Sequence, residues 1–448
     1  MSNRENEEFE RDEELLEARR LKRLEMKRKR KIQQRIVLAI LAVVLILVIV
    51  LIVKGCSGKS AEEQQPETVA PPVETQPEPE PADPDVTATL AAVGDIMMYD
   101  SQIKAGQSTD ANGATVYDFS SCFEAITPYT ISPDLMVGNL ELNFLGVPPY
   151  VGNKDLAPYW NAPESLAKNL ADMGFDILQT ANTYSIMNGI NGLQSTINVL
   201  NQAGIDHVGT HATDPAQSGS GGVVLREVNG IKFAFIGFTK GLNSMRLPTN
   251  NQYAVDMLYT DYNTDFSKVD TTSILNRVDA AKKLNPDVIV AMLHWGSEYD
   301  FTVSSTQDEI TELLFKNGVD VILGSHSHFV GPMKMMDVET TDGDKKQCFV
   351  AYSLGNFISS MTKQYTQESV ILNLEFTKDG KTGDTTISNV NYTPLYVVDR
   401  GEGAERRFEV LPIRAAIQTD LFQDYEEAMT AAIDNLKTNT QSDYDSGK

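Results

Sequence analysis

Five short apolar runs, each ending in an acid, an amide or a histidine, constrain this chain more than any other feature. Residues 88–93 lead into Gly94-Asp95, and residues 135–137 into Gly138-Asn139-Leu140-Glu141. Residues 175–178 open onto Ala181-Asn182, and residues 287–293 run straight into His294. Residues 319–323 open onto Gly324-Ser325-His326-Ser327-His328. The runs are rich in β-branched residues and bounded by turn or helix signals, so they read as strands. Helical segments separate several of them: 163–173 before Gly174, 193–203 before Gly204, and 306–317 before Gly318. Strands alternating with helices predict an α/β fold with a largely parallel sheet between helical layers. Ligands in such sheets bind at the carboxyl ends of the strands. Asp95, Glu141, Asn182, His294, His326 and His328 are therefore expected at one edge.

Imidazole, carboxylate and amide oxygen together suit a divalent first-row transition metal such as Mn, Fe or Zn, whereas Ca²⁺ and Mg²⁺ prefer oxygen shells. Two ions about 3.5–4 Å apart activate a water and stabilise an oxyanion together. A carboxylate between them offsets their repulsion, and His-x-His can serve both because alternate residues splay apart. Taken singly, an Asp after a strand is more often a turn or cap residue, and a His-x-His is as often a surface pair. The weight lies in the coincidence: three of the five histidines fall just after strand runs, beside the acids and the amide. His207 and His211 are expected to be ordinary surface histidines.

Residues 36–53 are apolar without interruption. As a helix they would span about 27 Å, close to the hydrocarbon thickness of a bilayer. Arg19, Arg20, Lys22, Arg23, the basic run 27–31 and Arg35 precede this segment, while only Lys54 and Lys59 follow closely. That asymmetry predicts a single-pass protein of the cell membrane, with its N-terminus cytoplasmic and its main domain extracellular. The charged leader and the apolar run are both too long for a cleaved signal peptide. Val53-Lys54-Gly55-Cys56 matches a lipoprotein box only loosely, with Lys54 fitting poorly. Outside the cell, Cys122 and Cys348 could pair, though spacing alone assigns no disulfide. The net charge of −24 excludes a nucleic-acid partner for the acidic exterior.

The expected organisation is a charged cytoplasmic segment (1–35), a transmembrane helix (36–53) and a Pro/Glu-rich linker (54–86) without aromatics. The main domain follows (87–400), then a C-terminal helix near 420–437 and a polar tail within 401–448.

At the strand ends the chain resembles the CapA family, also called the poly-γ-glutamate capsule synthesis family. The likeness runs from about residue 87 to 396 and rests on six motifs in order. These are Gly94-Asp95-Ile96-Met97; Gly138-Asn139-Leu140-Glu141; Asn161-Ala162-Pro163 through Gly174-Phe175-Asp176; His294-Trp295-Gly296 with Glu298; Gly324-Ser325-His326-Ser327-His328; and Tyr352-Ser353-Leu354-Gly355-Asn356-Phe357. Ser327 stands where proline is usual. The resemblance implies a metallophosphatase-like layered α/β/α sandwich. It places metal ligands at Asp95, Glu141, Asn182, His294, His326 and His328, with Glu141 best placed to bridge. One departure matters: the family's Ala-Asn-Asn-His reads Ala181-Asn182-Thr183-Tyr184 here. Tyr184, like His294, is expected in the catalytic role, but tyrosine is a poorer acid near pH 7, which puts turnover in question. Tyr99, Trp295 and Tyr299 are the candidate compensating donors.

Three functions compete. The first is a metal-dependent hydrolase of an extracellular phosphoester or acidic polymer end. The second is a non-catalytic subunit that holds or exports an anionic capsule polymer beside integral membrane synthase subunits. The third is a structural domain without metal, which metal content would distinguish.

Overall fold

A computed structural model describes residues 83–447. The apolar segment 36–53, the basic run before it, Cys56 and most of the linker lie outside the described residues. Among the described residues no helix is long and apolar enough to cross a membrane.

The folded unit begins at Asp85. Strands β1 (Val86–Ile96), β2 (Leu135–Leu140), β3 (Ile177–Gln179) and β4 (Asp206–Val208) come first. There follow β5 (Val224–Val228), β6 (Ile231–Thr239), β7 (Val288–His294) and β8 (Val321–Ser325). The chain continues through β9 (Met333–Glu339), β10 (Lys345–Ala351), β11 (Asn356–Ile358) and β12 (Glu368–Lys378). It finishes with β13 (Thr385–Arg400) and β14 (Arg407–Pro412). The main helices are α1 (Ser165–Asp172), α2 (Gly189–Ala203), α3 (Thr271–Lys282), α4 (Ser305–Lys316) and α5 (Glu426–Thr440).

These strands form two large sheets, not one, and a separate two-stranded ribbon pairs Gln107–Thr109 with Thr115–Tyr117. An eight-stranded sheet runs β14-β13-β12-β1-β2-β3-β4, with β11 also paired to β1. A six-stranded sheet runs β9-β10-β8-β7-β6-β5. Parallel pairing runs from β1 to the β4 edge of the first sheet, with β11, and through β6-β7-β8-β10 in the middle of the second. The remaining pairs are antiparallel.

Period-two alternation explains the layering. On β1, Ala88, Leu90 and Ala92 join Phe233, Phe235, Val290 and Met292 of the other sheet in one core. Ala91 and Val93 point the opposite way, against Leu166, Leu170 and Leu200 of α1 and α2. Beyond the second sheet, Ala234, Ile236, Ala291 and Leu293 meet Ile274 and Val278 of α3 and Ile310 and Leu314 of α4. The architecture is thus α/β/β/α, which corrects the three-layer sandwich expected around a single sheet. Strands buried on both faces read as continuous apolar runs whether one sheet or two will hold them.

The helices carry apolar residues at i, i+4 spacing and stop where predicted. Leu193, Ile197 and Leu200 of α2 are buried, and Gly204 ends it at φ 73°. Helix α4 starts on a capping box in which Ser304 and Gln307 satisfy each other's backbone N–H. After residue 400, β14 extends the first sheet, and Met429, Ala432 and Leu436 of α5 bury into the inter-sheet core. Cys122 and Cys348 are buried free thiols in different cores, so no disulfide joins them.

Candidate metal centre

Strand register assembles the site. In the first sheet Asp95 pairs with Asn139 on one side and Asn356 on the other. In the second, His294 pairs with Ser325 and with Thr239. The carboxyl ends of both parallel cores open to the same edge. Close approach there excludes side chains: a Cβ on Gly94 would fall 1.8 Å from the Gly355 carbonyl oxygen. His326 and His328 hold left-handed backbones, φ 97° and 59°, which are sterically costly for non-glycine residues. Such strain persists where packing over-determines it and concentrates at functional sites.

Five of the six residues singled out as ligands converge. Asp95, Glu141 and His328 form one group whose ligand atoms lie within 4.8 Å of one another, and Glu141, His294 and His326 form another. Glu141 belongs to both. All five are almost fully buried. Asn182 is placed differently. Its Nδ2 donates to the Leu140 carbonyl at 2.7 Å and to Asn139 Oδ1 at 3.3 Å, and its Oδ1 accepts from the Tyr184 N–H. Its amide is occupied in tying the loop after β3 to the end of β2.

The supporting bonds orient the ligands. Asn139 Nδ2 donates to Asp95 Oδ1 at 2.7 Å. His328 Nδ1 lies 2.9 Å from Asn356 Oδ1 and 3.1 Å from Asp95 Oδ2, acceptors that put the proton on Nδ1 and leave Nε2 available. His294 Nδ1 sits 3.1 Å from Ser325 Oγ, and its Nε2 sits 2.9 Å from Thr183 Oγ1 and 3.4 Å from Glu141 Oε1. Within the ligand cluster, two buried polar atoms lack any partner: Glu141 Oε2 and His326 Nδ1. An orphaned carboxylate oxygen and an orphaned imidazole nitrogen are costly in an apolar interior. Both are metal-ligand atoms, so the residues present fit a divalent cation.

Electrostatics agree. Burial, reinforced by Asp95, pushes the Glu141 carboxyl well above the usual carboxylate range. Burial drives His294 down to about 3 and, with His294 alongside, pushes His326 well below an ordinary histidine. Burial opposes protonation of His328 too, but its bond to Asp95 and the charge of Glu141 raise it to about 9. Asp95 is held below its ordinary value because His328 and His294 outweigh its burial. Without a cation the site holds protons where two buried carboxylates need positive charge.

Residues 89–361 match the family described as bacterial capsule synthesis protein PGA_cap. The chain belongs to this family. It is 27% identical over 298 residues to the capsule biosynthesis protein CapA of Bacillus anthracis, an alignment covering 65% of this chain and 64% of that protein. It is 26% identical over 297 residues to the PGA biosynthesis protein CapA of Bacillus subtilis, covering 66% and 70% respectively. The chain thus spans just under two thirds of the B. anthracis relative. It is also similar to the solved structure of a proposed 5′-nucleotidase from Staphylococcus aureus, at TM-score 0.41 and 14% identity, covering 78% of this chain and 58% of that one.

Within the matched span, the residues missed from sequence are Asn139, Asn356, Thr183 and Lys240. Asn139 and Asn356 sit inside strands, where an amide reads as one more polar residue. Lys240 obeys the same rule as the predicted ligands, since it directly follows the apolar strand β6. The residue in the family's usual histidine position, Tyr184, is buried against Trp160, ring centroids 5.1 Å apart. Burial and the nearby Glu141 raise its pKa, so its hydroxyl stays a neutral donor. Of the candidate compensating donors, Trp295 is committed to the Tyr352 carbonyl at 3.0 Å. Burial likewise keeps the hydroxyls of Tyr99 and Tyr299 protonated. His207 and His211 are not surface residues. Both are half-buried, and His211 Nε2 lies 2.9 Å from Asp256 Oδ2 in a cluster closed by Arg277.

Proposed function

We propose that this chain is a membrane-anchored, extracellular protein of poly-γ-glutamate or related anionic polymer synthesis or export, carrying a divalent-metal centre of hydrolase type. The shared position of Glu141 in two ligand groups, with one oxygen unpartnered, carries this reading. The printed names of the B. anthracis and B. subtilis relatives support the polymer role. The apolar segment 36–53 with its basic flank supports the anchor, and with it a place beside integral membrane synthase subunits.

Asp95, Glu141 and His328 would hold one ion, and Glu141, His294 and His326 a second. A divalent ion bound there supplies Lewis-acid chemistry and lowers the pKa of a coordinated water. The chain's own residues do the rest. Asn356 and Asp95 fix the His328 ring, Asn139 fixes Asp95, and Thr183 contacts His294. Tyr184, neutral at physiological pH, would serve as a hydrogen-bond donor and a poor proton source for a leaving group.

The test is elemental analysis of the full-length chain purified in detergent, beside its His326→Ala/His328→Ala variant. Bound Mn, Fe or Zn that disappears in the variant is the expected result; no metal in either after reconstitution would sink the metal centre. Tyr184 favours a second reading, a subunit that binds polymer without turning it over. Turnover of any member of a phosphoester panel by the metal-loaded protein would count against it.

A further inference from the structure

Two lysines flank the candidate metal centre, and neither closes an ion pair among the described residues. Lys240 is half-buried at the end of β6. Its backbone N–H donates to the His294 carbonyl at 2.9 Å, its ammonium donates to the Gly296 carbonyl, and Nζ stands 4.8 Å from the centre of the Phe266 ring. Its charge acts on both His294 and His326. Lys363 is exposed on the other approach, its Nζ 3.9 Å from the centre of the Tyr299 ring. That ring lies 5.5 Å from His328 and 5.8 Å from Phe329. Phe329 stacks on Phe301 at 4.6 Å and meets Tyr365 edge-on at 5.7 Å. Tyr299 and Tyr365 both hold left-handed backbones, φ 60° and 73°. Strained loops packed ring to ring thus fix the surface on which Lys363 rests.

The chain carries 62 acidic against 38 basic residues, so attraction to bulk anions is not its general property. Two ammonium groups without a direct ion-pair partner, flanking a buried carboxylate–imidazole cluster, are a local exception, with the exposed Glu298 carboxylate acting on Lys240 at longer range. Burial lowers the pKa of Lys240, while a carbonyl and an aromatic face hold its ammonium in place for a ligand to meet.

We propose that Lys240 and Lys363 form an anion-recognition pair beside the metal centre, taking a carboxylate or phosphoryl group of the substrate, with Tyr299 as the residue that positions Lys363. This deepens the reading given under Proposed function and rests on it for the identity of the neighbouring centre. Carboxylate and phosphoryl oxygens present the same chemistry to an ammonium group, and two probes separate them.

Binding of a γ-linked glutamate oligomer and of inorganic phosphate is measured on the full-length chain in detergent, with metal content determined on the same samples. Lys363→Met and Lys240→Met are each expected to weaken at least one probe about tenfold, as loss of a charge-assisted hydrogen bond does. Lys363→Arg is expected to retain binding, and Tyr299→Leu to reproduce part of the Lys363→Met loss. Weakening confined to the oligomer identifies a carboxylate; weakening confined to phosphate identifies a phosphoester. Metal content is expected to be unchanged in Lys363→Met. Wild type binding neither probe, or Lys363→Met binding both as wild type does, would overturn the proposal. Lys363 is exposed, so its variant decides the matter even where Lys240→Met fails to fold. A wild-type protein without metal that still binds anions through these lysines would sink the metal centre and leave the pair standing.

Discussion

Asn139 Nδ2 donates to Asp95 Oδ1 at 2.7 Å, joining neighbouring strand ends inside the ligand cluster. The same amide lies 3.4 Å from His294 Nδ1, so one side chain touches a member of each ligand group. Residues that orient metal ligands in this way typically contribute about 10–100-fold to affinity. Asn139→Ala is therefore expected to weaken metal binding by about that factor while the chain still folds. Chelator competition on the purified protein checks it; an unchanged dissociation constant would mean that Asp95 is held adequately by His328 alone.

The metal-free protein should lose stability as pH rises above neutrality. The folded-state pKa of His328, about 9, exceeds an unfolded value near 6.5. Its contribution is fully present below about pH 6.5 and lost as pH rises through about 9. Glu141, also raised, acts in the same direction. His328 alone accounts for roughly 3 kcal/mol over that interval. Metal affinity should move oppositely, because bound metal replaces the protons on Glu141 and His328. Chemical denaturation of the chelator-treated and metal-loaded protein from pH 6.5 to 9 separates the two. A flat metal-free profile would show that His328 titrates normally.

Strand ends were legible because an apolar run must stop somewhere, and the residue that stops it in a parallel core faces the ligand edge. That logic found Asp95, Glu141, His294, His326 and His328, and it extends to Lys240. For Asn182 it says less, since an amide has two faces and only the fold reveals that Leu140, Asn139 and Tyr184 claim them. The second sheet was hidden for a different reason. Strands β11 and β12 pair with β1 across more than 260 residues of chain, and no local period records such a partner. His211 failed similarly: its partners Asp256 and Arg277 are 45 and 66 residues away.

The His211–Asp256–Arg277 cluster is expected to serve stability alone. Arg277 Nη2 lies 2.5 Å from Asp256 Oδ1, with both side chains largely buried. Removing one partner of a buried pair leaves the other charge unpaired, at a cost of about 3–5 kcal/mol. Arg277→Met should lower the denaturant midpoint accordingly without altering metal content per folded chain. Loss of metal at unchanged stability would assign the cluster to the site instead.

Tyr184→His tests whether this chain departed from catalysis at one position. Tyr184 is only 8% exposed, enclosed by Trp160, and its hydroxyl is held neutral by burial and by Glu141. Histidine is smaller, titrates near neutrality in a polar setting, and would occupy the family's usual position beside Glu141. General acid catalysis typically contributes about 10²–10⁴-fold. Where the centre is otherwise competent, Tyr184→His should raise phosphoester hydrolysis of the metal-loaded protein by a factor in that range. Polymer binding should change little, because the proposed anion contacts are Lys240 and Lys363. An unchanged rate in a metal-replete variant would place the barrier elsewhere, at Thr183 against His294 Nε2, and the pair Thr183→Asn/Tyr184→His would then be the decisive protein.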